Sequence, residues 1–394
     1  MTAPTCSGLQ AAGIAAGLKK NGQPDLGLIY SETTASAAAV FTRNVVQAAP
    51  VMLDRQRILS GRCRAIVVNS GNANCCNGEN GMRDAIATSA AVARALDVPE
   101  DEVLVASTGV IGQPLPIERV TGAVPALVAD LAGDGFERLS VAIMTTDTEP
   151  KCLHRRGRIG DRTFNLVAVA KGAGMIRPDM ATMLCFAATD AAIEAALLNA
   201  MLHRAVDQSF NRITIDGDTS TNDTAILLAN GSSGAVVNDA AAQAVFQALL
   251  DATLLDLAKW LVRDGEGANK LVEVRVQGTG SDEEARRIAD TVANSPLVKT
   301  ALFGEDANWG RILGAAGRAG VTFDPARTDL YFDDVRMVTA GVGCGAEAEA
   351  AATAVLKQPE LKITLDLNGG AGAASVLTCD FSVEYVRINA DYRS

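Results

Sequence analysis

The sequence predicts a mixed α/β protein in which helices cover sheets. Three observations carry this. Short apolar runs suited to buried strands alternate with Ala-rich segments of helical period along the chain. After Gly267 the pattern changes to strict apolar–polar alternation, which suits half-buried strands. No repeat, low-complexity tract or long Pro or Ser linker interrupts either region. With 394 residues, the chain can hold more than one core or one large α/β unit.

The elements follow in order. Residues 64–69 (RAIVVN) and 103–107 (VLVAS) read as short buried strands. Residues 82–96 and 117–132 carry apolar residues at helical spacing. Residues 165–170 (NLVAVA) are a strand, and 182–188 (TMLCFAA) read as another. Residues 191–206 and 239–262 read as helices. LVEVRVQG from Leu271 alternates as a strand. SDEEARRIADTVANS then starts a helix, with Ser281 at the N-cap and Glu284 at capping-box spacing. LKITLDLNGG from Leu361 and DFSVEYVRIN from Asp380 alternate again and read as strands.

Composition narrows the function. Hydrophobic residues make up 48%, charged residues 21% and aromatics only 4%, with a net charge of −11. Clustered cations for a polyanion and aromatic platforms for single-stranded nucleic acid are both lacking, so no nucleic-acid partner is expected. The opening MTAPTCSGLQAAG lacks a basic segment followed by an apolar run, and no stretch reaches the roughly 18 apolar residues of a membrane span. The expected location is the cytoplasm, without membrane association. The eight cysteines form no C-x-x-C pair, and only His154 and His203 could assist them. Reduced thiols acting as apolar fillers are expected, with no metal and no cofactor.

Four segments are dense in Gly, Thr, Asn and Asp without hydrophobic periodicity: 107–112 (STGVIG), 171–183 (KGAGMIRPDMATM), 209–224 (SFNRITIDGDTSTNDT) and 303–312 (FGEDANWGRI). Such loops make turns or present backbone N–H groups to a ligand. The second has more to it. A strand runs into Lys171, Gly172 and Gly174, Pro178 blocks helix at Arg177, and Thr182 heads the next strand-like run. This suits intramolecular cleavage, with the Thr182 hydroxyl attacking the Ala181 carbonyl and the resulting ester then hydrolysed. The freed α-amine has an ordinary pKa of about 7.7–8.0 and so can serve as base for its own hydroxyl. Acyl transfer also needs donors for an oxyanion. The Gly109 N–H and the Thr108 hydroxyl, after strand 103–107, suit that role, although a plain turn is the commoner use of such a sequence. The run 216–223 (DGDTSTND) either lines a site or stitches turns. Trp309 is expected as a core aromatic beside a turn.

Taken together, these motifs resemble the ornithine acetyltransferase (glutamate N-acetyltransferase) family of arginine biosynthesis. The resemblance covers essentially the whole chain. It includes SGNAN at 70–74, STGVIG, IMTTDT at 143–148, KGAGMIRPDMATML, SFNRITIDGDTSTNDT, DGEGANK at 264–270, FGEDANWGRI and YVRINADYRS at 385–394. It implies an N-terminal-nucleophile-like fold with a topology shared with self-processing aminopeptidases. It implies self-cleavage into an α chain of residues 1–181 and a β chain of 182–394, held in an α2β2 heterotetramer. The implied reaction is ping-pong: N-acetylornithine acetylates Thr182, ornithine leaves and glutamate takes the acetyl group, with acetyl-CoA a second donor in some members. By motif, Thr182 is the nucleophile, and Thr108 and Gly109 form the oxyanion hole. Thr148, Lys171, Thr182, Glu266, Asn389 and Ser394 contact substrate, with Thr145 or Thr146 as alternatives to Thr148. Lys171 would meet a carboxylate, and Glu266 and Asn389 an amine. The rival readings are a self-processing amidohydrolase or aminopeptidase and a catalytically inert relative. A P-loop is absent, which disfavours nucleotide binding. Arg177, Asp179 and the pair Cys75–Cys76 depart from the expected pattern.

Overall fold

The computed structural model describes residues 5–177 and 183–391. They form two compact units, one of residues up to 211 with 218–261, the other of 212–217 with 262 onward.

In the first unit the elements are β1 (Leu9–Ile14), β2 (Leu26–Phe41), α1 (Ala49–Arg57), β3 (Arg62–Asn72), α2 (Gly78–Leu96), β4 (Val103–Val110), α3 (Ile117–Ala129), α4 (Phe136–Ala142), β5 (Lys151–Ile159), β6 (Arg162–Lys171), β7 (Leu184–Thr189), α5 (Ala195–Gln208), β8 (Thr224–Ala229) and α6 (Ala240–Arg263). The strands form one sheet in the order β4-β3-β2-β8-β7-β6-β5, with β1 also on β2. Strand β2 serves two neighbours. Its first half pairs with β3, its second half from Ser36 pairs with β8, and the register breaks between Tyr30 and Ala35. Ile66, Val68, Leu104 and Ala106 of one half-sheet share a core with Val167, Val169, Phe186 and Ile226 of the other. The sheet therefore folds over at β2 into two facing leaves. The alternate residues of the first leaf, Ala65, Val67, Val103 and Val105, pack instead on Val92 of α2 and Val120, Val124 and Leu127 of α3. Strands buried on both faces read as unbroken apolar runs, which is why RAIVVN and VLVAS were visible in the sequence. On the second leaf Phe164 of β6 meets Phe246 of α6, with ring centres 5.6 Å apart.

In the second unit the elements are β9 (Leu271–Thr279), α7 (Asp282–Ala293), α8 (Pro296–Phe303), α9 (Trp309–Gly317), β10 (Asp329–Phe332), β11 (Val335–Thr339), β12 (Val342–Gly343), α10 (Ala346–Leu356), β13 (Glu360–Asp366), β14 (Gly372–Cys379) and α11 (Val383–Asp391). The sheet runs β12-β11-β10-β13-β9-β14, parallel between β13 and β9. Val272, Val274 and Val276 of β9 alternate into a core with Ile288 and Val292 of α7, and Trp309 packs against it half-buried, as expected. Ser281 caps α7 by accepting from the Glu284 N–H at 3.2 Å. The Glu284 carboxylate reaches back to the N–H of Gly280 at 3.0 Å, one residue before the position the capping box predicts.

The mixed α/β architecture agrees with the sequence reading, with one correction. Residues 383–391 are a helix rather than a strand. Ser382 Oγ accepts from the N–H groups of Glu384 and Tyr385 at 3.2 and 3.4 Å and so starts the helix. The alternation of Phe381, Val383 and Tyr385 is not a burial pattern, since Val383 is 65% exposed. No helix among the described residues is long and apolar enough to cross a membrane.

Candidate active site

Within the first unit, chemistry gathers where the two leaves face each other. Strand β3 runs parallel to β4, pairing Ser70 with Thr108 and Gly71 with Gly109. Gly109 takes φ +130°, and a Cβ there would stand 2.4 Å from the Gly71 carbonyl carbon and 2.6 Å from the Asn72 nitrogen. Only glycine fits so close to a neighbouring backbone. Around it the loops after β3 and β4 are tied together. Ala73 N–H donates to the Val110 carbonyl at 3.0 Å and Gly112 N–H to the Cys75 carbonyl at 3.0 Å. Asn72 Nδ2 donates to the carbonyls of Gln113 and Pro114, each at 3.1 Å. The run 216–223 supplies another tie, since Asn222 Nδ2 donates to the carbonyls of Ala73 at 2.7 Å and Ser107 at 2.8 Å. Thr42 and Asn44 side chains in turn donate to the Ser220 and Thr219 carbonyls. The stitching role of that segment is thus realised, and it ends one residue before Thr108.

From the opposite leaf, Lys171 at the end of β6 crosses to Thr108. Its Nζ donates to Thr108 Oγ1 at 3.3 Å and to Thr145 Oγ1 at 2.7 Å. Behind it lies Asp147, with a fully buried side chain. One carboxylate oxygen accepts from Lys151 Nζ at 3.0 Å and from the Gly172 N–H at 2.7 Å. The other accepts from the Thr145 N–H at 3.1 Å and stands 3.9 Å from Lys171 Nζ. Burial acts to raise the Asp147 carboxyl, but Lys171, Lys151 and the two amides outweigh it and hold it at about 2. Lys19 lies close by, its stem over Gly71. Burial lowers its ammonium to about 8, with Lys171 adding to the effect and Asp25 and Asp147 opposing it.

The second unit carries a separate pair. Glu266 is buried, and its Oε2 accepts from Asn389 Nδ2 of α11 at 2.8 Å. The loop that bears Glu266 is held by Asp380, which accepts from the N–H groups of Asn269 and Lys270 at 2.8 and 3.0 Å and from Asn269 Nδ2 at 3.0 Å. Ser382 Oγ donates to the Gly267 carbonyl at 2.6 Å. Beneath them Lys299 is buried, donating to Thr378 Oγ1 at 2.8 Å and lying 4.6 Å from the Phe381 ring centre.

The structure thus brings Thr108, Gly109 and Lys171 together in one unit, and Glu266 with Asn389 in the other. In the TTDT segment, Thr145 meets Lys171, whereas Thr148 is exposed. Ala181, Thr182, Asp179 and Ser394 lie outside the described residues, and Arg177 is exposed. Asp147, Lys151, Asn222 and Asp380 were not singled out from the sequence. The first and third sit in motifs that were flagged, but a DTEPK stretch reads as a solvated charged loop, and Asp380 as the start of a strand. Among the described residues no group of His, Cys, Asp and Glu is arranged to hold a metal ion.

Comparison with known proteins gives the same direction. A sequence model of the ArgJ family matches residues 10–394. The chain is 53% identical over 389 residues to the arginine biosynthesis bifunctional protein ArgJ of Geobacter sulfurreducens, spanning 98% of this chain and 99% of that one. It is 49% identical over 382 residues to the protein of the same name from Syntrophotalea carbinolica, spanning 96% and 97%. Among solved structures it is similar to the arginine biosynthesis bifunctional protein argJ of Bacillus halodurans, at 38% identity over 52% of this chain and 96% of that one, with a TM-score of 0.49. Sequence identity near one half, sustained over almost the full length of both chains, leads to one conclusion: this chain belongs to the ArgJ family.

Proposed function

We propose that the chain is an acetyltransferase of arginine biosynthesis that cuts itself between Ala181 and Thr182 and carries acetyl from N-acetylornithine to glutamate on Thr182. The observation that carries this reading is the meeting of Lys171, Thr108 and Gly109 across the folded sheet. Acyl transfer needs an N–H and a hydroxyl converging where an oxyanion forms, and Thr108 and Gly109 stand just before the end of β4 at Val110. The chain position of the nucleophile agrees. Thr182 is bonded to Met183, whose carbonyl accepts from Thr224 N–H at 3.1 Å, and the following Leu184 pairs with Lys171 across β6 and β7. The names of the relatives place them in arginine biosynthesis and call them bifunctional, which supports acetyl-CoA as a second donor to glutamate.

In the proposed reaction the Thr182 α-amine takes the hydroxyl proton as Oγ attacks the acetyl carbonyl. The C–N bond of N-acetylornithine breaks and the proton passes to the departing amine. Glutamate then attacks the acetyl ester with its neutral amine, restoring the Thr182 hydroxyl. Glu266 and Asn389 meet an amino group, and Ser394 and a threonine of the TTDT segment complete the contacts. The cut chains, 1–181 and 182–394, remain together as an α2β2 heterotetramer in the cytoplasm.

Product analysis with N-acetylornithine tests the reading. N-acetylglutamate formed one-for-one with ornithine is the expected result. Ornithine and acetate released regardless of glutamate would make the protein a hydrolase, and no release from correctly cut protein would remove the substrate assignment. Intact-mass measurement of Thr182→Ala tests the cut, with a single uncut and inactive chain expected.

A further inference from the structure

The contacts of Lys171 suit a task other than clamping a substrate carboxylate. Its side chain is only 5% exposed, and its Nζ donates to two protein hydroxyls. An ammonium has donors and no acceptor, so in the 3.3 Å contact with Thr108 the threonine oxygen must be the acceptor. A hydroxyl that accepts on one side from a cation keeps its single proton for another direction, and charge assistance strengthens the hydrogen bond that proton makes. The ammonium is in turn fixed from behind by Thr145 Oγ1 at 2.7 Å and by Asp147, which Lys151 and the Gly172 N–H anchor.

We propose that Lys171 is a positioning residue for the oxyanion hole: by donating to Thr108 Oγ1 it fixes and polarises that hydroxyl, so that the Thr108 proton is presented to the developing oxyanion, while Asp147 holds the ammonium in place. This rests on the acetyl-transfer reading and deepens it. Resemblance alone makes Lys171 a substrate contact. The geometry makes it act through Thr108, with a signature in the rate of acetylation rather than in substrate affinity.

A double-mutant cycle separates the two roles. Wild type, Lys171→Met, Thr108→Ala and the double variant are mixed with saturating N-acetylornithine, and acetyl-enzyme on the 182–394 chain is followed by quenched intact-mass spectrometry. Thr108→Ala should slow acetylation by about 100-fold or more, the loss typical of one oxyanion donor. Lys171→Met should slow it at least about 10-fold at saturation, and should cost little or nothing further once Thr108 is Ala. Losses that multiply, or a Lys171→Met variant with raised KM and an unchanged saturated rate, would overturn the relay. If the Met variant fails to fold or to cut, Lys171→Gln carries the same cycle, since its amide keeps a donor without the charge. A second readout uses p-nitrophenyl acetate, a donor with no carboxylate. Slowed acetylation of Lys171→Met by this ester supports the relay, and a rate equal to wild type refutes it. A cut wild-type enzyme that forms no acetyl-enzyme from N-acetylornithine would instead bring down the acetyl-transfer reading beneath it.

Discussion

Replacing Asp147 by Asn removes the only carboxylate from a buried group of three charges. Asp147 and Lys151 have fully buried side chains 3.0 Å apart, and Lys171 stands 3.9 Å from the other carboxylate oxygen. Breaking a buried pair from one side costs about 3–5 kcal/mol, because the remaining charge is left without its counter-ion. The lowered Asp147 carboxyl gives a second figure for the same charges. Asp147 sits at about 2 where an ordinary aspartate sits at 3.8. A difference of that size corresponds to about 2–3 kcal/mol of stability. Since the folded value lies below the unfolded one, this contribution is complete above a pH of about 4 and is lost as pH falls toward about 2. Chemical unfolding near neutral pH should therefore show Asp147→Asn destabilised by about 2–5 kcal/mol, and the gap to wild type should narrow as the pH is lowered through that window. A variant within about 1 kcal/mol of wild type at neutral pH, or a gap that stays constant down to acid, would refute the charge argument.

Three further outcomes can be checked. Gly109→Ala places a methyl against the Gly71–Asn72 backbone at 2.4–2.6 Å, and should cut kcat by about 100-fold or more by displacing the proposed oxyanion donor; a variant with more than a tenth of wild-type kcat counts against that role. Asp380→Asn keeps the shape of the loop anchor but weakens three charge-assisted bonds, so KM should rise several-fold with Tm lowered only by a few degrees; an unchanged KM for both amino acids argues that the Glu266 loop does not touch substrate. Lys19, lowered to about 8 by burial and by Lys171, should be the lysine most reactive toward trace acetic anhydride near pH 8; slower labelling than the exposed Lys20 would contradict this.

How far the sequence reading reached depends on what each residue faces. The strands at 64–69 and 103–107 were legible because both their faces are buried, which leaves no polar interruption. The sixteen-residue β2 was not, because Ser31, Glu32, Thr33 and Thr34 break its apolar run where it passes from one leaf to the other. The helix at 383–391 carries a strand-like alternation that reflects no burial, since the segment buries no side chain. Gly109 was found through its place after a strand, yet its need for glycine comes from Gly71, thirty-eight residues earlier and adjacent only through the β3–β4 register. Asp147 illustrates the same limit. A carboxylate between Thr146 and Thr148 reads as surface until the partners that bury it, Lys171 and Gly172, are placed against it.

The strand order in the first unit bears on the proposed break in the chain. Reading across the second leaf, β2 and β6 precede residue 181, while β8 and β7 between them follow residue 182. Each boundary between earlier and later segments is a ladder of six register pairs, β2 with β8 and β6 with β7. A cut at 181–182 severs one connection and no rung of either ladder. The two pieces would behave as interlocked fragments, neither holding the second leaf complete. Expressed separately, each would present an open sheet edge that its counterpart fits, so an uncut chain would serve as the template on which the pair is assembled.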